Sequence, residues 1–416
     1  MDHLVPLIGF VFFIFLAWVF SEDRKRFPWR VVLWGSGLQF AIAISILGIP
    51  ALGVPGIFAF LFSFINDAVD KLLSFSDQGA SFLFGSLMDP TKHGYVFAFR
   101  ALPTILFFSS LVAILYHVGV LQKVVAGMSR VMEKTLRTSG AESLAAAANI
   151  FVGQTEAPLL VKPFISTMTR SEIFAVMVPG MASVAGGVLA AYVGLLNDQL
   201  PSIAGHLVTA SVMSAPAGLL IAKVMVPEKE KPLTMNGVEI PVDRPDTNVI
   251  EAAARGASEG LSLALNVGAM VIVFIALIAL ANWGLGWVST SLGAGEALTF
   301  QKILGFLFSP LAWLMGVPWA DARLVGEWLG EKVVLNEFVA YVHMAEAKAA
   351  LNERTLVIAS YALCGFANFS SIGIQLGGIG AMAPNKRGEL AQLGLLCMIG
   401  GNLSTFMTAA IVGLIS

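Results

Sequence analysis

Ser143-Leu-Ala-Ala-Ala-Ala-Asn149-Ile-Phe-Val-Gly153-Gln154-Thr155-Glu156-Ala-Pro158-Leu-Leu-Val161 is the stretch on which the fold turns. It is apolar enough to enter a bilayer, yet Glu156 interrupts it and Pro163 follows it, leaving pieces shorter than the roughly 20 residues a crossing helix needs. Val333–Met344 repeats the pattern around Glu337. Each stretch is predicted to be a helical hairpin that enters the membrane and returns, a shape tolerated only where its broken backbone is buried in protein or lines a cavity.

The rest of the chain supplies the membrane context. Of 416 residues, 57% are hydrophobic and 12% charged, and mean hydropathy is +0.81, far from a soluble balance. No long polar stretch divides the sequence, which predicts one all-α integral membrane domain in the lipid bilayer. A net charge of −2 argues against a nucleic-acid partner. Cys364 and Cys397 lie in apolar runs and make neither a disulfide framework nor a zinc site. Leu4–Phe20 follows Asp2 rather than a basic segment and lacks a small-residue cleavage site, so it reads as a retained helix.

Eight transmembrane helices are expected, at Leu4–Phe20, Val31–Ile49, Ala101–Leu121, Ile173–Leu196, Ile203–Val226, Gly260–Ala281, Leu356–Gly380 and Leu390–Ile415. Ala51–Leu73, with Pro50, Pro55, Asp67, Asp70 and Lys71, suits an interfacial helix. Basic clusters at Arg24–Arg30, Lys123–Arg137, Lys223–Arg244 and Lys386–Arg387 fall on one side. With that side cytoplasmic, both termini face outward, as in a multi-pass inner-membrane protein, and the hairpins enter from opposite faces.

That opposition suggests an inverted repeat. Each hairpin is followed by a span with a similar small-residue string, Gly180-Met-Ala-Ser183-Val-Ala-Gly186 and Gly365-Phe-Ala-Asn368-Phe-Ser-Ser371, where a helix break is plausible. Paired interrupted segments point to a transporter binding site. Either string alone equally suits close helix packing; the accompanying glutamates favour function, because a carboxylate at bilayer depth costs about 2.5–3.5 kcal/mol. The expected organisation is peripheral helices over 1–92, a first repeat over 93–226 with its hairpin at 141–166, a charged connector over 227–248, and a second repeat over 249–416 with its hairpin at 325–350.

Three polar islands, GQTEAPL (153–159), NEFVAY (336–341) and CGFANFSS (364–371), stand in apolar sequence. In this order and spacing they resemble the hallmark motifs of the concentrative nucleoside transporters, bacterial cation-coupled symporters among them, and the similarity runs along essentially the whole chain. The resemblance implies that Gln154, Thr155, Glu156 and Val188 meet the nucleobase of ligands such as uridine, cytidine or adenosine. It implies that Glu337, Asn368 and Ser371 bind ribose hydroxyls with Phe366 close by. It places a coupling Na+ between side-chain oxygens of Asn149 and Ser183 and the carbonyls of Val152 and Val184, with H+ as the alternative ion, and it implies a homotrimer with a mobile hairpin-bearing unit.

Other chemistry is poorly supported. Gly326–Lys332 has the wrong spacing for a phosphate loop, and the histidines are scattered with no His-Glu-x-x-His pair. A passive channel would share the polar midplane residues but would not accumulate substrate, and no reactive constellation for a membrane enzyme occurs in the spans. No residue discriminates purine from pyrimidine.

Overall fold

The computed structural model describes residues 4–89, 92, 96–197, 199–235, 246–292, 297–347 and 351–416. Asp2, His3, His93 and Arg244, with parts of the connector and of the loops at 197–206 and 289–295, lie outside the described residues. Among the described residues the regular structure is helical, apart from one isolated bridge between Ile49 and Val54.

The first half runs α1 (Leu4–Val19), α2 (Trp29–Leu47), α3 (Ala59–Phe84), α4 (Phe97–Val118), α5 (Val120–Leu136), α6 (Gly140–Ala148), α7 (Arg170–Ala182), α8 (Gly186–Leu196) and α9 (Ile203–Met225). The second half runs α10 (Val249–Ser291), α11 (Phe300–Leu314), α12 (Trp319–Val334), α13 (Glu337–Glu346), α14 (Glu353–Leu363), α15 (Phe369–Met382) and α16 (Arg387–Ile415).

Among the described residues, six segments are able by length and composition to cross a membrane, Trp29–Leu47, Ala98–Val118, Arg170–Leu196, Ile203–Met225, Val249–Ser291 and Pro384–Ile415, or seven if the bent pair Phe300–Leu314 and Trp319–Val334 is one span. Of the other expected spans, α1 is a 16-residue helix, and Leu356–Gly380 is divided into α14 and α15.

Two expectations about the periphery change. The helix expected over Ala51–Leu73 begins at Ala59 and runs 26 residues to Phe84, because Pro50 opens a 3-10 turn over Pro50–Leu52 and Gly53 adopts a positive φ of 67°. Helix α11 was not expected at all. It meets α12 at 118°, with Gly316 at φ 99° supplying the left-handed turn that side chains disfavour.

Capping chemistry explains where the helices start. Ser139 and Thr169 form capping boxes with Glu142 and Glu172 at α6 and α7. Asn336, Asn352 and Asn368 accept from backbone N–H groups at the starts of α13, α14 and α15, so helix restarts directly behind each asparagine.

Helix α7 stops where Ser183 turns extended (φ −123°, ψ 172°), four residues after the in-helix Pro179. The two broken helices meet at their breaks: Phe366 N donates to Ser183 O at 3.2 Å. A Cβ on Gly365 would stand 2.9 Å from the Met181 carbonyl, so only glycine permits this approach.

The core gathers around α7, α9, α14 and the second half of α16, where nearly every residue is buried. Helix α10 packs on α4 yet leaves Ile272, Trp283 and Trp287 about 70% exposed (72%, 73% and 68%). Such an apolar rim suits lipid or a second protein surface.

Candidate functional site

The first expected hairpin comprises α6, nine residues long, a turn at Asn149–Glu156 and a 3-10 turn over Ala157–Val161. The second comprises α12, starting at Trp319, and α13. Both tips and both helix breaks border one cavity of about 1000 Å³. Gln154, Thr155, Glu156 and Val188 line it from the first half, and Glu337, Phe366, Asn368 and Ser371 from the second. The eight positions expected to meet the nucleoside therefore line one cavity, from segments up to 217 residues apart.

Glu337 is the electrostatic centre. The residue is 4% exposed, and its carboxylate accepts from the Tyr192 hydroxyl at 2.7 Å and from Asn368 Nδ2 at 3.1 Å. A carboxylate offers about four lone-pair sites, so roughly half of its accepting capacity stays free for hydroxyl donors. Asn368 is held in turn, its Oδ1 accepting from Ser371 N at 2.9 Å and Ser370 Oγ at 2.7 Å.

Gln154 Nε2 donates to Ser371 Oγ at 3.1 Å, tying the first hairpin to α15, while its buried Oε1 has no partner. Glu156 is exposed to the cavity and accepts from Thr155 Oγ1 at 3.0 Å. This end offers free acceptors, and the Glu337 end offers a carboxyl group held by two donors.

Asn149, Ser183 and Val184 lie behind the cavity wall and are at most 2% exposed; Val152 reaches the lining. The two segments are joined by Gly186 N donating to Phe151 O at 3.0 Å. Asn149 Oδ1 is buried without a partner, and among the described residues no N–H donates to the Val152 or Val184 carbonyls. A buried oxygen without a partner, as at Asn149, is costly, and the hydroxyl of Ser183, which donates to Pro179 O at 2.9 Å, still has accepting capacity. An all-oxygen donor set fits a hard cation. No cluster of three His, Cys, Asp or Glu side chains suited to a metal ion occurs among the described residues.

Several site residues escape sequence reasoning. Tyr192 follows Val188 by one helical turn and shares its face, which was the available signal; its ring also packs on Tyr341 at 4.4 Å. Asn266, Arg255 and Glu259 of α10 and Tyr116 of α4 line the cavity, but nothing local marks them.

Buried charges elsewhere were also missed. Lys223 meets Glu142 at 2.6 Å and donates to Ser171 Oγ at 3.0 Å, while Ser139 Oγ donates to Glu172 at 2.6 Å. This network ties the base of the first hairpin to α7 and α9.

Comparison with known proteins follows the same lines. Residues 206–413 match the family model described as Na+ dependent nucleoside transporter C-terminus, residues 8–87 match its N-terminus counterpart, and residues 98–199 match the model described as nucleoside recognition. An uncharacterized transporter of Haemophilus influenzae is 45% identical, covering 100% of this chain and 98% of that protein. The nucleoside permease NupC of Helicobacter pylori is 41% identical, covering 99% of this chain and 98% of that protein. Among solved structures, CNTnw in an inward-facing substrate-bound state superposes with a TM-score of 0.91 at 43% identity, covering 100% of this chain and 98% of that one. A doubly substituted CNTnw in an outward-facing state gives 0.92 at 43% identity, covering 100% and 99%.

Proposed function

The chain belongs to the Na+ dependent nucleoside transporter family, and from that premise we propose that it imports nucleosides such as uridine, cytidine and adenosine by symport with Na+. Its relatives are transporters rather than enzymes. The observation that carries the reading is the buried Glu337 carboxylate, oriented by Tyr192 and Asn368 and half unsatisfied at the wall of a cavity. Ribose supplies the missing hydroxyl donors, and each hydrogen bond to a charged acceptor contributes about 1.5–3 kcal/mol. Ser371 and Asn368 take the same sugar, Phe366 flanks it, and Gln154, Thr155, Glu156 and Val188 take the base. A neutral nucleoside needs no countercharge.

Asn149, Ser183 and the carbonyls of Val152 and Val184 would hold Na+, which supplies positive charge to these oxygens. The ion also supplies the driving force: one charge moving down 100 mV contributes about 2.3 kcal/mol, roughly a fifty-fold accumulation. Proton symport is the second reading, favoured by Glu156, a carboxylate open to the cavity.

Alternating access then follows from the packing. The hairpins and broken helices form one mobile unit in an inverted repeat, with the two hairpins re-entrant from opposite faces, and α4 and α10 belong to the scaffold. The cavity lining reaches Lys162, Arg255 and Glu259, at the ends beside the basic loops, which supports an inward-facing state. Eight spans, both termini outside a bacterial inner membrane and a homotrimer burying the α10 rim complete the proposal.

Calorimetric titration of uridine and adenosine into the purified protein tests it. Binding is expected in Na+ and at least tenfold weaker in choline; no binding of either nucleoside in either salt would contradict the reading.

A further inference from the structure

Lys332, in the last turn of α12, is completely buried. Its Nζ donates to Ala362 O at 2.7 Å and Thr405 Oγ1 at 2.8 Å, and it stands 5.5 Å from the centroid of the Phe406 ring. Thr405 donates its own hydrogen to Asn402 O at 3.0 Å, so its oxygen accepts from Lys332. Two acceptors and the negative face of a ring surround the nitrogen, the setting of an ammonium rather than of an amine with a lone pair to place. Among the described residues no carboxylate is paired with it; the ion pair of this hairpin is that of Glu331 with His343 at 2.8 Å.

Five residues before the tip carboxylate of each hairpin stand Phe151 and Lys332. The Phe151 carbonyl joins the first hairpin to the break between α7 and α8 through Gly186 N. Lys332 joins the second hairpin to the end of α14, just before its break. The same junction is thus made twice by different means. Beside the first lie the unpaired Asn149 Oδ1 and the Val152 and Val184 carbonyls; at the second a positive charge is already present.

We infer that Lys332 is a tethered cation that does for the second hairpin what the exchangeable cation does for the first. This rests on the cation-coupled reading above. The second hairpin then stays docked whether or not free cation is bound, its ammonium steadies the Glu337 carboxylate, and one exchangeable cation completes the site. Lys332 is a positioning residue and touches no substrate.

The test is uridine titration of the purified full-length protein at saturating Na+, comparing wild type with Lys332→Ala and Lys332→Met. Both variants are expected to bind at least tenfold more weakly. Millimolar ethylammonium is expected to restore most of the affinity of Lys332→Ala, whereas choline, too large for the vacated space, restores none.

If Lys332→Ala does not fold, Lys332→Met, which fills the volume without the charge, decides alone. Wild-type affinity in Lys332→Met, even with a lowered melting temperature, would assign the residue to packing and overturn the inference, as would a Lys332→Ala defect indifferent to ethylammonium. Absence of uridine binding in the wild type would instead strike the transport reading itself.

Discussion

The Tyr192 hydroxyl donates to Glu337 Oε1 at 2.7 Å, a bond between α8 of the first half and the second hairpin tip, 145 residues away in sequence. Tyr192 engages Oε1 while Asn368 Nδ2 donates to Oε2 at 3.1 Å, so both carboxylate oxygens are held at the cavity wall. The Glu337 carboxylate of the second half is therefore oriented by a helix of the first half.

Tyr192→Phe keeps the ring contacts with Tyr341 and Phe338 but removes one hydrogen bond to a buried carboxylate. Uridine affinity is expected to fall about tenfold, from a loss of about 1.5 kcal/mol, with a melting temperature near that of the wild type. Calorimetry and a thermal melt on the same sample read both.

Glu337→Gln replaces an acceptor-only anion with an amide that must share its capacity between donating and accepting. Nucleoside affinity is expected to drop ten- to a hundredfold, the worth of one charge-assisted bond of about 1.5–3 kcal/mol, while the protein still folds and remains monodisperse. Unchanged affinity would remove the residue from the site.

Much of the cavity lining was legible because carboxylates and asparagines interrupt apolar runs, so Glu156, Glu337 and Asn368 marked segments that border one cavity, and Asn368 the start of α15. Tyr192 did not, since a tyrosine in an apolar helix needs no polar partner in view. Lys332 was hidden because its acceptors lie 30 and 73 residues further on. Helix α11 escaped because fifteen residues with Lys302 near the start and Pro310 inside resemble neither a span nor a hairpin limb. Local hydropathy locates the insertions, and only the folded chain pairs the charges.

Asn149→Ala removes the orphaned Oδ1, and Ser183→Ala removes the hydroxyl proposed to share the cation with it. Each is expected to raise the Na+ concentration for half-maximal uridine binding by fivefold or more, with affinity at saturating Na+ changed less than threefold. Titrating Na+ at fixed uridine distinguishes this from a general loss of binding.

At the mouth of the cavity, Arg255 donates to both oxygens of Asp246 at 2.8 Å, and these bonds hold the Asp246 carboxyl below its ordinary range. A depressed folded value means the stabilisation is complete above the unfolded value of about 3.9 and is lost as pH falls through the folded one. Asp246→Asn is expected to lower the melting temperature at pH 7, and the gap from wild type to close as pH is brought well below 4. A gap equally wide at low pH would contradict this account of the connector's attachment to α10.

Radiolabelled uridine uptake into proteoliposomes, with an inward Na+ gradient and an inward proton gradient imposed separately, tests cation-driven nucleoside import most directly. Accumulation above the external concentration is expected under the Na+ gradient, increased by an inside-negative potential and, at low uridine, reduced at least tenfold by Glu337→Gln. Uptake that only equilibrates, indifferent to both gradients, would contradict it.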